Sequence, residues 1–554
     1  MAHNNKDSTM NTAPLSPSDP QRDASQRFNI ARACCDRWAD DPERIAIIQK
    51  NADGTVQYHS FLALQQQANR LANSLRAQGI NAGDRVGIML PQGLEAGTAH
   101  IALYKLGAIA VPLFKLFGAD AIEHRASNCS MRALITDASG LQKIDGIRAG
   151  LAHLHLCYVI DAPAHRNDVL DYHEQLQCHS DQFETLDTAA EDPALIIYTS
   201  GTTGHPKGAL HAHRVLLGHL PGVRSSHDDF PQPGDRMWTP ADWAWIGGLL
   251  DVLLPAWYHG VPVVAHRADK FVPEDVFALI EALQIKNVFF PPTALKLLRP
   301  VENPQQRWHL ALRSVASGGE SLGDELLAWG DQALGVRINE FYGQTECNLV
   351  VSSCASQGIY RPHAIGRAVE GFDVAIVDDY GVPVPTGGSG HIAVATPNGS
   401  QMLRYWENSQ ATAEKYLNGW LVTGDKGSMD EDGYIFFLGR NDDVITSAGY
   451  RIGPTPIEDC LIKHPAVKMV AAIGKKDPIR TEVVKAFVVL NHGYAASNNT
   501  IRELQAHVRA QLAAHEYPRE IEFLDELPMT TTGKIIRKAL RELEEQRTAM
   551  ELQA

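Results

Sequence analysis

Several features that define other protein classes are absent from this sequence. No apolar stretch approaches the roughly 18 residues that a membrane-spanning helix needs, so no membrane span is expected. Cysteine is scarce, with 8 in 554 residues, and there is no Cys-x-x-Cys pair, so neither a disulfide framework nor a zinc site is expected. Positive charge is not in excess: the formal net charge is −15, which argues against a nucleic-acid-binding protein.

The amino terminus has little apolar character. Residues 1–24 are rich in Asn, Ser, Pro and Asp, and they lack the apolar centre of a signal peptide. We therefore expect a disordered extension over 1–24 and a cytoplasmic protein.

The rest of the chain is long enough for two or more domains. Runs such as Arg85–Leu90 and Ala133–Thr136 are typical of buried strands. The spacing of apolar residues predicts helices over Phe28–Trp38 and Phe61–Gln78. Strands that alternate with helices in this way predict an α/β fold with mostly parallel sheets.

The predicted secondary structure and domain organisation change at two points further along the chain. From Asp373 it becomes β-rich, with short strand-like runs between Gly, Asp and Pro turns. A charged turn at 439–443 marks a boundary, and the roughly 110 residues beyond it are enough for a small α+β domain. We predict a large, multi-layer N-terminal domain over 25–440, which includes the β-rich part, and a C-terminal domain over 441–554.

The stretch from Tyr198 to Gly208 has the composition of a phosphate-binding loop. It follows the apolar run 194–197 and reads Tyr-Thr-Ser-Gly-Thr-Thr-Gly-His-Pro-Lys-Gly. Its glycines allow successive backbone N–H groups to form an anion-binding nest, the hydroxyls add donors, and Lys207 adds a positive charge. It is not the P-loop pattern, because Pro206 precedes the lysine and a glycine follows it.

Two further loops carry chemically active side chains. Ser-Gly-Gly-Glu at 317–320 and Asn-Glu-Phe-Tyr-Gly-Gln-Thr-Glu at 339–346 each follow or end a predicted strand. Ligands of open α/β sheets bind beyond the carboxyl ends of the strands, which is where these loops lie.

Together these motifs resemble the adenylate-forming superfamily, which includes acyl-CoA synthetases, adenylation domains of peptide synthetases and firefly luciferase. Residues 449–454 and 318–320 look most like the medium-chain acyl-CoA synthetase branch, with acetyl-CoA synthetases as near relatives. The resemblance extends from about residue 30 to 545 and rests on Thr199–Gly208, Tyr342–Glu346, Thr423–Asp425, Gly439–Ile445, Gly449–Arg451 and Pro528–Lys534, in the family's order.

The resemblance implies an ATP-dependent acid:CoA ligase with two half-reactions. A short-to-medium-chain carboxylate attacks the α-phosphorus of ATP, which gives an acyl-adenylate and pyrophosphate. The thiol of CoA then displaces AMP and forms the thioester. A carboxylate is already a nucleophile at neutral pH, so the first half needs positioning and charge stabilisation rather than a general base.

The resemblance also assigns roles to individual residues. Thr199, Ser200, Thr202, Thr203 and Lys207, with Gly201 and Gly204, would hold the β- and γ-phosphates. Glu346 would bind Mg²⁺, a cation that prefers oxygen ligands. Lys534, Glu346 and Thr202 would be catalytic. Adenine, ribose and the α-phosphate region would be bound by Gly318, Gly319, Glu320, Tyr342, Gly343, Gln344, Thr345, Asp425, Arg440 and Arg451.

Lys534 is implied to enter the site with the small domain and to bridge the carboxylate and the α-phosphate. Its Pro-x-x-x-x-Gly-Lys context also resembles a site of lysine acetylation, which would remove the positive charge. A lysine acetyltransferase and a deacetylase are therefore implied partners. Asp442 resembles the hinge about which the mobile domain rotates between half-reactions, and Gly449 would line the channel for CoA.

The acyl pocket is expected to include Trp243, Trp245 and Gly247, with either tryptophan more often a core residue than a selectivity gate. Glycines at 247, 318 and 343 are expected to leave volume for an acid larger than acetate. Cys347 and Asn348 depart from the medium-chain pattern, where Thr-Gly is commoner, so branched or aromatic acids stay open. Less favoured alternatives are a carrier-protein-loading adenylating enzyme and a luciferase-like oxygenase.

Overall fold

The computed structural model of the protein describes residues 26–163, 166, 168–199, 206–266, 270–320, 322–440, 443, 445–447, 450–477, 481–512, 517–530 and 534–551. The extension expected over 1–24 lies outside the described residues.

The helices are α1 Ile30–Cys34, α2 Phe61–Ala77, α3 Leu94–Leu106, α4 Ala119–Asn128, α5 Ala138–Asp145, α6 Tyr172–Gln177, α7 Val215–Ser226, α8 Ile246–Gly248, α9 Leu254–Tyr258, α10 Pro273–Ala282, α11 Pro292–Leu298, α12 Pro304–Arg307, α13 Asp324–Ala333, α14 Ser409–Glu414, α15 Pro454–Ile462, α16 Asn498–Gln511 and α17 Arg537–Glu551. A π-helical segment, Leu249–Leu253, joins α8 to α9.

The strands are β1 Ile45–Lys50, β2 Val56–Ser60, β3 Arg85–Met89, β4 Ile109–Pro112, β5 Ala133–Thr136, β6 Leu156–Val159, β7 Leu170–Asp171, β8 Pro193–Thr199, β9 Lys207–Ala212, β10 Met237–Trp238, β11 Val263–His266, β12 Asn287–Phe289, β13 Ser314–Gly318, β14 Ile338–Gln344, β15 Cys347–Ser352, β16 Gly366–Ala368, β17 Val374–Val377, β18 Ser389–Ala395, β19 Arg404–Tyr405, β20 Tyr416–Leu417, β21 Trp420–Met429, β22 Tyr434–Arg440, β23 Ile445–Ser447, β24 Tyr450–Ile452, β25 Val467–Asp477, β26 Thr481–Leu490 and β27 Glu520–Phe523.

These strands form three sheets. The largest has 14 strands in the order β17-β18-β21-β22-β16-β15-β14-β13-β12-β10-β11-β1-β2, with β20 beside β21. It is parallel from β14 through β13, β12, β10 and β11 to β1, and antiparallel from β14 to β17. The second sheet has the order β19-β9-β8-β4-β3-β5-β6-β7, and the third has β24-β23-β26-β25 with β27 on β26. The predicted α/β fold, with a large N-terminal domain, a β-rich part and a smaller C-terminal domain, is confirmed.

The layers are held together by helices that lie between sheets. Helix α2 starts at its N-cap Ser60, whose hydroxyl accepts from the Ala63 N–H, and it buries an apolar stripe. Helix α3 has almost no exposed face, as expected for a helix packed on both sides, and it ends at Gly107 with φ +70°. Such an enclosed helix explains why the N-terminal domain has several layers.

The predicted helix over Phe28–Trp38 is wrong in its second half. Helix α1 ends at Cys34, and Asp36–Trp38 forms a separate 3₁₀ turn. Tertiary contacts account for the break: the Asp36 carboxylate forms an ion pair with the buried Lys105, and the Trp38 indole N–H donates to the Trp257 carbonyl at 2.8 Å. These contacts override the local helical periodicity.

The C-terminal sheet carries apolar clusters on two faces. One includes side chains of α15 and α16, and the other includes Leu540 of α17. On this sheet the ammonium of the buried Lys485 forms ion pairs with Glu522, at 2.9 Å, and with Glu544. Among the described helices, none combines the length and the apolar content that crossing a bilayer requires.

Candidate active site

The loop rich in glycine and hydroxyls joins two antiparallel strands. Thr199, at the end of β8, pairs with Lys207, at the start of β9. Ser200, Gly201, Thr202, Thr203 and Gly204 lie outside the described residues. The described ends of the loop are therefore the paired residues Thr199 and Lys207, which are called the hairpin neck below.

Strand β13 leads into the second of the glycine-containing loops. Gly318 is buried and pairs with Phe341 of β14, and Gly319 has φ +100°, a conformation that favours glycine. Glu320 follows, and its carboxylate is 3.7 Å from the ammonium of Lys296. The chain thus turns sharply away from the sheet at the carboxyl end of a parallel strand.

Tyr342 and Asp425 meet across the largest sheet. The Tyr342 hydroxyl donates to Oδ2 of Asp425 at 2.5 Å, and Asp425 is buried, with 7 % of its surface exposed. Burial, together with the neighbouring Asp425 charge, raises the pKa of Tyr342 well above its ordinary value. The hydrogen bond holds the tyrosine ring against the base of the cleft, and its ring centroid is 6.2 Å from that of Phe437.

Arg440 lies directly opposite Asp425 in the β21–β22 register. Arg440 is exposed. Arg451 lies in β24, where its backbone pairs with Thr446. Asp442 and Gly449 lie outside the described residues.

Lys415 is a site residue that the sequence reasoning missed. Its ammonium donates to Oε1 of Gln344 at 2.6 Å and to the Thr423 carbonyl at 3.2 Å. Burial lowers its pKa, whereas the charges of Glu346 and Asp425 raise it. It lies in a Glu-Lys-Tyr stretch outside every motif, so only its proximity in the fold reveals it.

Glu346 lies in the turn between β14 and β15, after Thr345. Glu346 has 7 % of its surface exposed, and its carboxylate accepts a hydrogen bond from the Tyr405 hydroxyl. The Lys207 ammonium is 5.3 Å from the centroid of the Tyr405 ring. Tyr405 therefore connects the turn to the hairpin neck, and it too was missed from sequence.

Lys534 of the C-terminal domain faces the same cleft. A Cβ placed on Gly319 would be 3.6 Å from its ammonium. Lys534 is tied to Thr530: its N–H donates to the Thr530 hydroxyl at 3.0 Å, and its carbonyl accepts from the Thr530 N–H at 2.7 Å. Lys534 is exposed at its surface, and partial loss of hydration lowers the pKa of its ammonium. The charges of Glu320 and Asp425 raise that pKa, and the charge of Arg440 lowers it.

On the acyl side, the two predicted tryptophans differ. Trp243 is a core residue: it is 2 % exposed and packs edge-on against Trp257 at 6.5 Å. Trp245 is half-buried, and its ring lies edge-on to Phe114 at 6.0 Å. Of the two, only Trp245 keeps appreciable exposed surface.

The expectation that three glycines leave pocket volume is wrong. A Cβ on Gly318 would lie 2.6 Å from the Phe341 carbonyl oxygen, and one on Gly343 would lie 2.4 Å from the Leu349 nitrogen. A Cβ on Gly247 would lie 2.8 Å from the Phe289 ring. Neighbouring protein atoms fill these directions, so the glycines permit close packing rather than empty space.

Comparison with known families gives two matches. A family model described as "AMP-binding enzyme" matches residues 35–406, and one described as "AMP-binding enzyme C-terminal domain" matches residues 456–534.

Curated relatives and solved structures are similar over nearly the whole chain. The acetyl-coenzyme A synthetase of Bacillus subtilis (strain 168) is 33% identical over 93% of this chain and 90% of its own length. The mitochondrial acyl-coenzyme A synthetase ACSM4 of Mus musculus is 33% identical over 94% of this chain and 91% of its own. The crystal structure of the anthranilate CoA ligase AuaEII in complex with anthranoyl-AMP has a TM-score of 0.87 at 30% identity, and the match covers 95% of this chain and 100% of that one.

Proposed function

We propose a site for the reaction of this chain, which belongs to the AMP-binding enzyme family and is an AMP-forming acyl-CoA synthetase. The adenylation site is the cleft between Gly319 and Lys534. The enzyme uses ATP to convert a carboxylic acid to an acyl-adenylate with release of pyrophosphate. CoA then displaces AMP to form the thioester.

The position of Lys534 carries this proposal. A single cation on the small domain, next to the turn after β13, can contact a carboxylate and an α-phosphate at the same time. Negative charge that develops on the phosphorus oxygens is stabilised by such a fixed donor. Lys534 and, by the resemblance, Thr202 are therefore proposed as catalytic residues.

The nucleotide would lie on the groups that the β-sheet edge presents. Asp425, whose carboxylate is buried and already oriented by Tyr342, would accept from the ribose hydroxyls. Tyr342 and the turn of Gly318, Gly319 and Glu320 would enclose the adenine ring, since a flat ring stacks on an aromatic face. The phosphates would lie at the hairpin neck with Lys207, together with Thr199, Ser200, Gly201, Thr203 and Gly204. Gly343, Gln344, Thr345, Arg440 and Arg451 would border the nucleotide.

Mg²⁺ is proposed as a cofactor held by Glu346 and by phosphate oxygens. Among the residues the structure describes, no group of three His, Cys, Asp or Glu side chains is arranged to bind a metal ion alone. A single buried carboxylate fits Mg²⁺, which takes one or two carboxylates and binds mainly through phosphates and water. When bound, it would neutralise the charge of the phosphates, while Tyr405 and Lys207 keep the carboxylate and the neck in place.

For the second half-reaction we propose that the C-terminal domain rotates about Asp442 and that Gly449 then lines the CoA channel. The exposed position of Lys534, which is tied to Thr530 of its own domain, is consistent with a residue that serves only one half-reaction. The same exposure would let a lysine acetyltransferase and a deacetylase reach it; unchanged adenylation after stoichiometric acetylation of Lys534 would reject this regulation. A cytoplasmic location is proposed from the eight free cysteines, seven of them buried.

The acid is proposed to be an aromatic one. The rings of Phe289 and Phe341, 5.4 Å apart between centroids, lie against Gly247 and Gly318 at the expected acyl position. This tilted, mutually packed pair would offer ring faces and edges to a planar aromatic acid. Short-to-medium-chain or branched acids are the second candidate, favoured by the similarity to the acetyl-CoA and ACSM4 synthetases.

The test is pyrophosphate release with a panel of acids, from acetate to decanoate and including benzoate, with and without CoA. We expect AMP and a thioester to form only with CoA present and with at least one acid. Turnover that does not depend on CoA, or no turnover with any acid, would reject the ligase function.

A further inference from the structure

We propose that Asp251, His219 and Asn348 form a specificity site for an amino group at the far end of the acyl substrate. This inference rests on the proposed acyl position and names the chemical class of the acid more closely. Asp251 and Asn348 lie beside Gly247 and Gly343, the glycines at the expected acyl position.

The location follows from two glycines that are only half-buried. A Cβ on Gly247 would be 3.6 Å from Oδ2 of Asp251, and a Cβ on Gly343 would be 2.6 Å from Oδ1 of Asn348. Asp251 projects from the π-helical segment Leu249–Leu253, a distortion that is frequent at functional sites. The cluster therefore lies between the two glycine positions that border the expected acyl pocket.

In the described part of the chain, the Asp251 carboxyl has no Lys or Arg partner. It is 2 % exposed, and among the described residues its only hydrogen bonds come from the Asn348 side-chain amide, at 2.8 and 2.9 Å. Burial raises its pKa well above the ordinary range, which the Asn348 hydrogen bond opposes. When ionised, the carboxylate accepts through both oxygens, and a substrate donor bound to it would favour this ionised form.

His219 presents a second acceptor to the same space. It is fully buried, and burial lowers its pKa to about 4, so the ring is neutral near pH 7. Its Nδ1 is 2.7 Å from the Val215 carbonyl, which can only accept, so Nδ1 carries the hydrogen. Among the described residues, no group hydrogen-bonds to Nε2, which is left as an acceptor 4.0 Å from Oδ1 of Asp251.

Two acceptors 4.0 Å apart are too distant to share a proton directly, because hydrogen bonds to oxygen or nitrogen span about 2.7–3.2 Å. One donor with two hydrogens can bridge them, and an amino group supplies both. A hydroxyl supplies one hydrogen and a methyl group none. The expected order of substrates is therefore amino, then hydroxyl, then methyl.

Asn348 also connects the specificity site to the nucleotide site. It follows Glu346 and Cys347 at the start of β15, and the next residue, Leu349, has φ +56°. The hydrogen bonds to Asp251 fix this strand against the π-helical segment. Asn348, where the sequence departs from the family pattern, is thus the donor that orients the Asp251 carboxyl of the proposed site.

The experiment compares benzoates that carry an amino, hydroxyl or methyl group at each ring position. In the full-length enzyme we expect kcat/KM, from CoA-dependent pyrophosphate release, to be at least about 100-fold higher for the amino than for the methyl acid at one ring position, since buried unpaired acceptors reject an analogue without the donor. We expect Asp251→Asn to lower the ratio of kcat/KM between the amino and methyl benzoates at least about tenfold. The value of kcat/KM for the methyl benzoate should not fall by the same factor. Asp53→Asn, at an exposed turn, is the control that leaves the ratio unchanged.

The comparison of acids in the unaltered enzyme needs no variant, so a failure of Asp251→Asn to fold does not prevent the test. Ratios within about threefold, as expected if a buried water bridges the two acceptors, would overturn the inference. An equal loss for all acids in Asp251→Asn would also overturn it, because that is the effect of a structural residue. Activity with linear acids alone would reject the inference and leave the ligase function standing, whereas no CoA-dependent turnover with any acid would reject the ligase function itself.

Discussion

The nucleotide end and the acyl end of the proposed site, which meet at the turn between β14 and β15, make opposite use of polar groups. At the nucleotide end, protein partners already orient the ligands: Tyr342 donates to Asp425, and Tyr405 donates to Glu346. At the acyl end, Asp251 and His219 present two acceptors that no described donor bridges. The nucleotide end is organised before a ligand arrives, whereas the acyl end needs a ligand to complete its hydrogen bonds. We infer that ATP binding depends on preorganisation and acid selection on the substrate's own donor.

The largest effect is expected from Lys534→Ala, which tests whether the nucleotide end depends on the small domain. We expect acyl-adenylate formation to fall by about 10²- to 10³-fold, as for the loss of one donor to a developing charge. Thioester formation from supplied acyl-adenylate should be retained. Both are measured in single turnover, with Lys538→Ala, whose ammonium faces Glu542 at 3.8 Å on the surface, as the control. Equal loss of both half-reactions contradicts the assigned role.

The next effect is expected from Asp425→Ala, which removes the preorganised carboxylate. Loss of a hydrogen bond to a charged group costs about 1.5–3 kcal/mol, so the KM for ATP should rise roughly 10- to 100-fold. Tyr342→Phe, which keeps the ring and removes the orienting hydroxyl, should have a smaller effect. ATP titrations at saturating acid measure both. A larger effect of the tyrosine variant would mean that the Tyr342 hydroxyl, and not the Asp425 carboxylate, dominates nucleotide binding.

Gly343→Ala tests the packing where the nucleotide end and the acyl end meet. The new Cβ would lie 2.4 Å from a backbone nitrogen, so we expect the free energy of unfolding to fall by about 1–3 kcal/mol. Gly118→Ala, where no atom lies within 4 Å of the new Cβ, is the matched control. Chemical denaturation measures both changes. If the variant were as stable as the unaltered enzyme and its kcat/KM for smaller acids rose, Gly343 would instead provide pocket volume.

The smallest effect is expected from Lys415→Met. It removes the cation that holds Gln344 and the Thr423 carbonyl, and a net loss near 1 kcal/mol predicts a roughly fivefold rise in the KM for ATP. The acyl end should be unaffected, so the ratio between amino and methyl benzoates is the internal control. A change in that ratio would show that the two ends are coupled.

Much of the fold and of the nucleotide end could be predicted from sequence, since both depend on local patterns. Runs such as Ala133–Thr136 and the stripe of α2 follow from periodicity, and Thr199, Glu346, Asp425 and Lys534 stand in contiguous motifs. The break after Cys34 could not be predicted, because it depends on Lys105 and Trp257, which are distant in sequence.

The sequence alone determined the α/β class, the family and the order of the motifs, because these are encoded by short-range composition and spacing. Only the tertiary structure decided that the space beside Gly343 and Gly318 is filled and that Lys415 and Tyr405 belong to the site. It also decided that Asp251 meets His219 and Asn348 in one buried cluster. Buried electrostatics depend on which distant side chains become neighbours, and that is fixed by the packing of α7, the π-helical segment and β15 together.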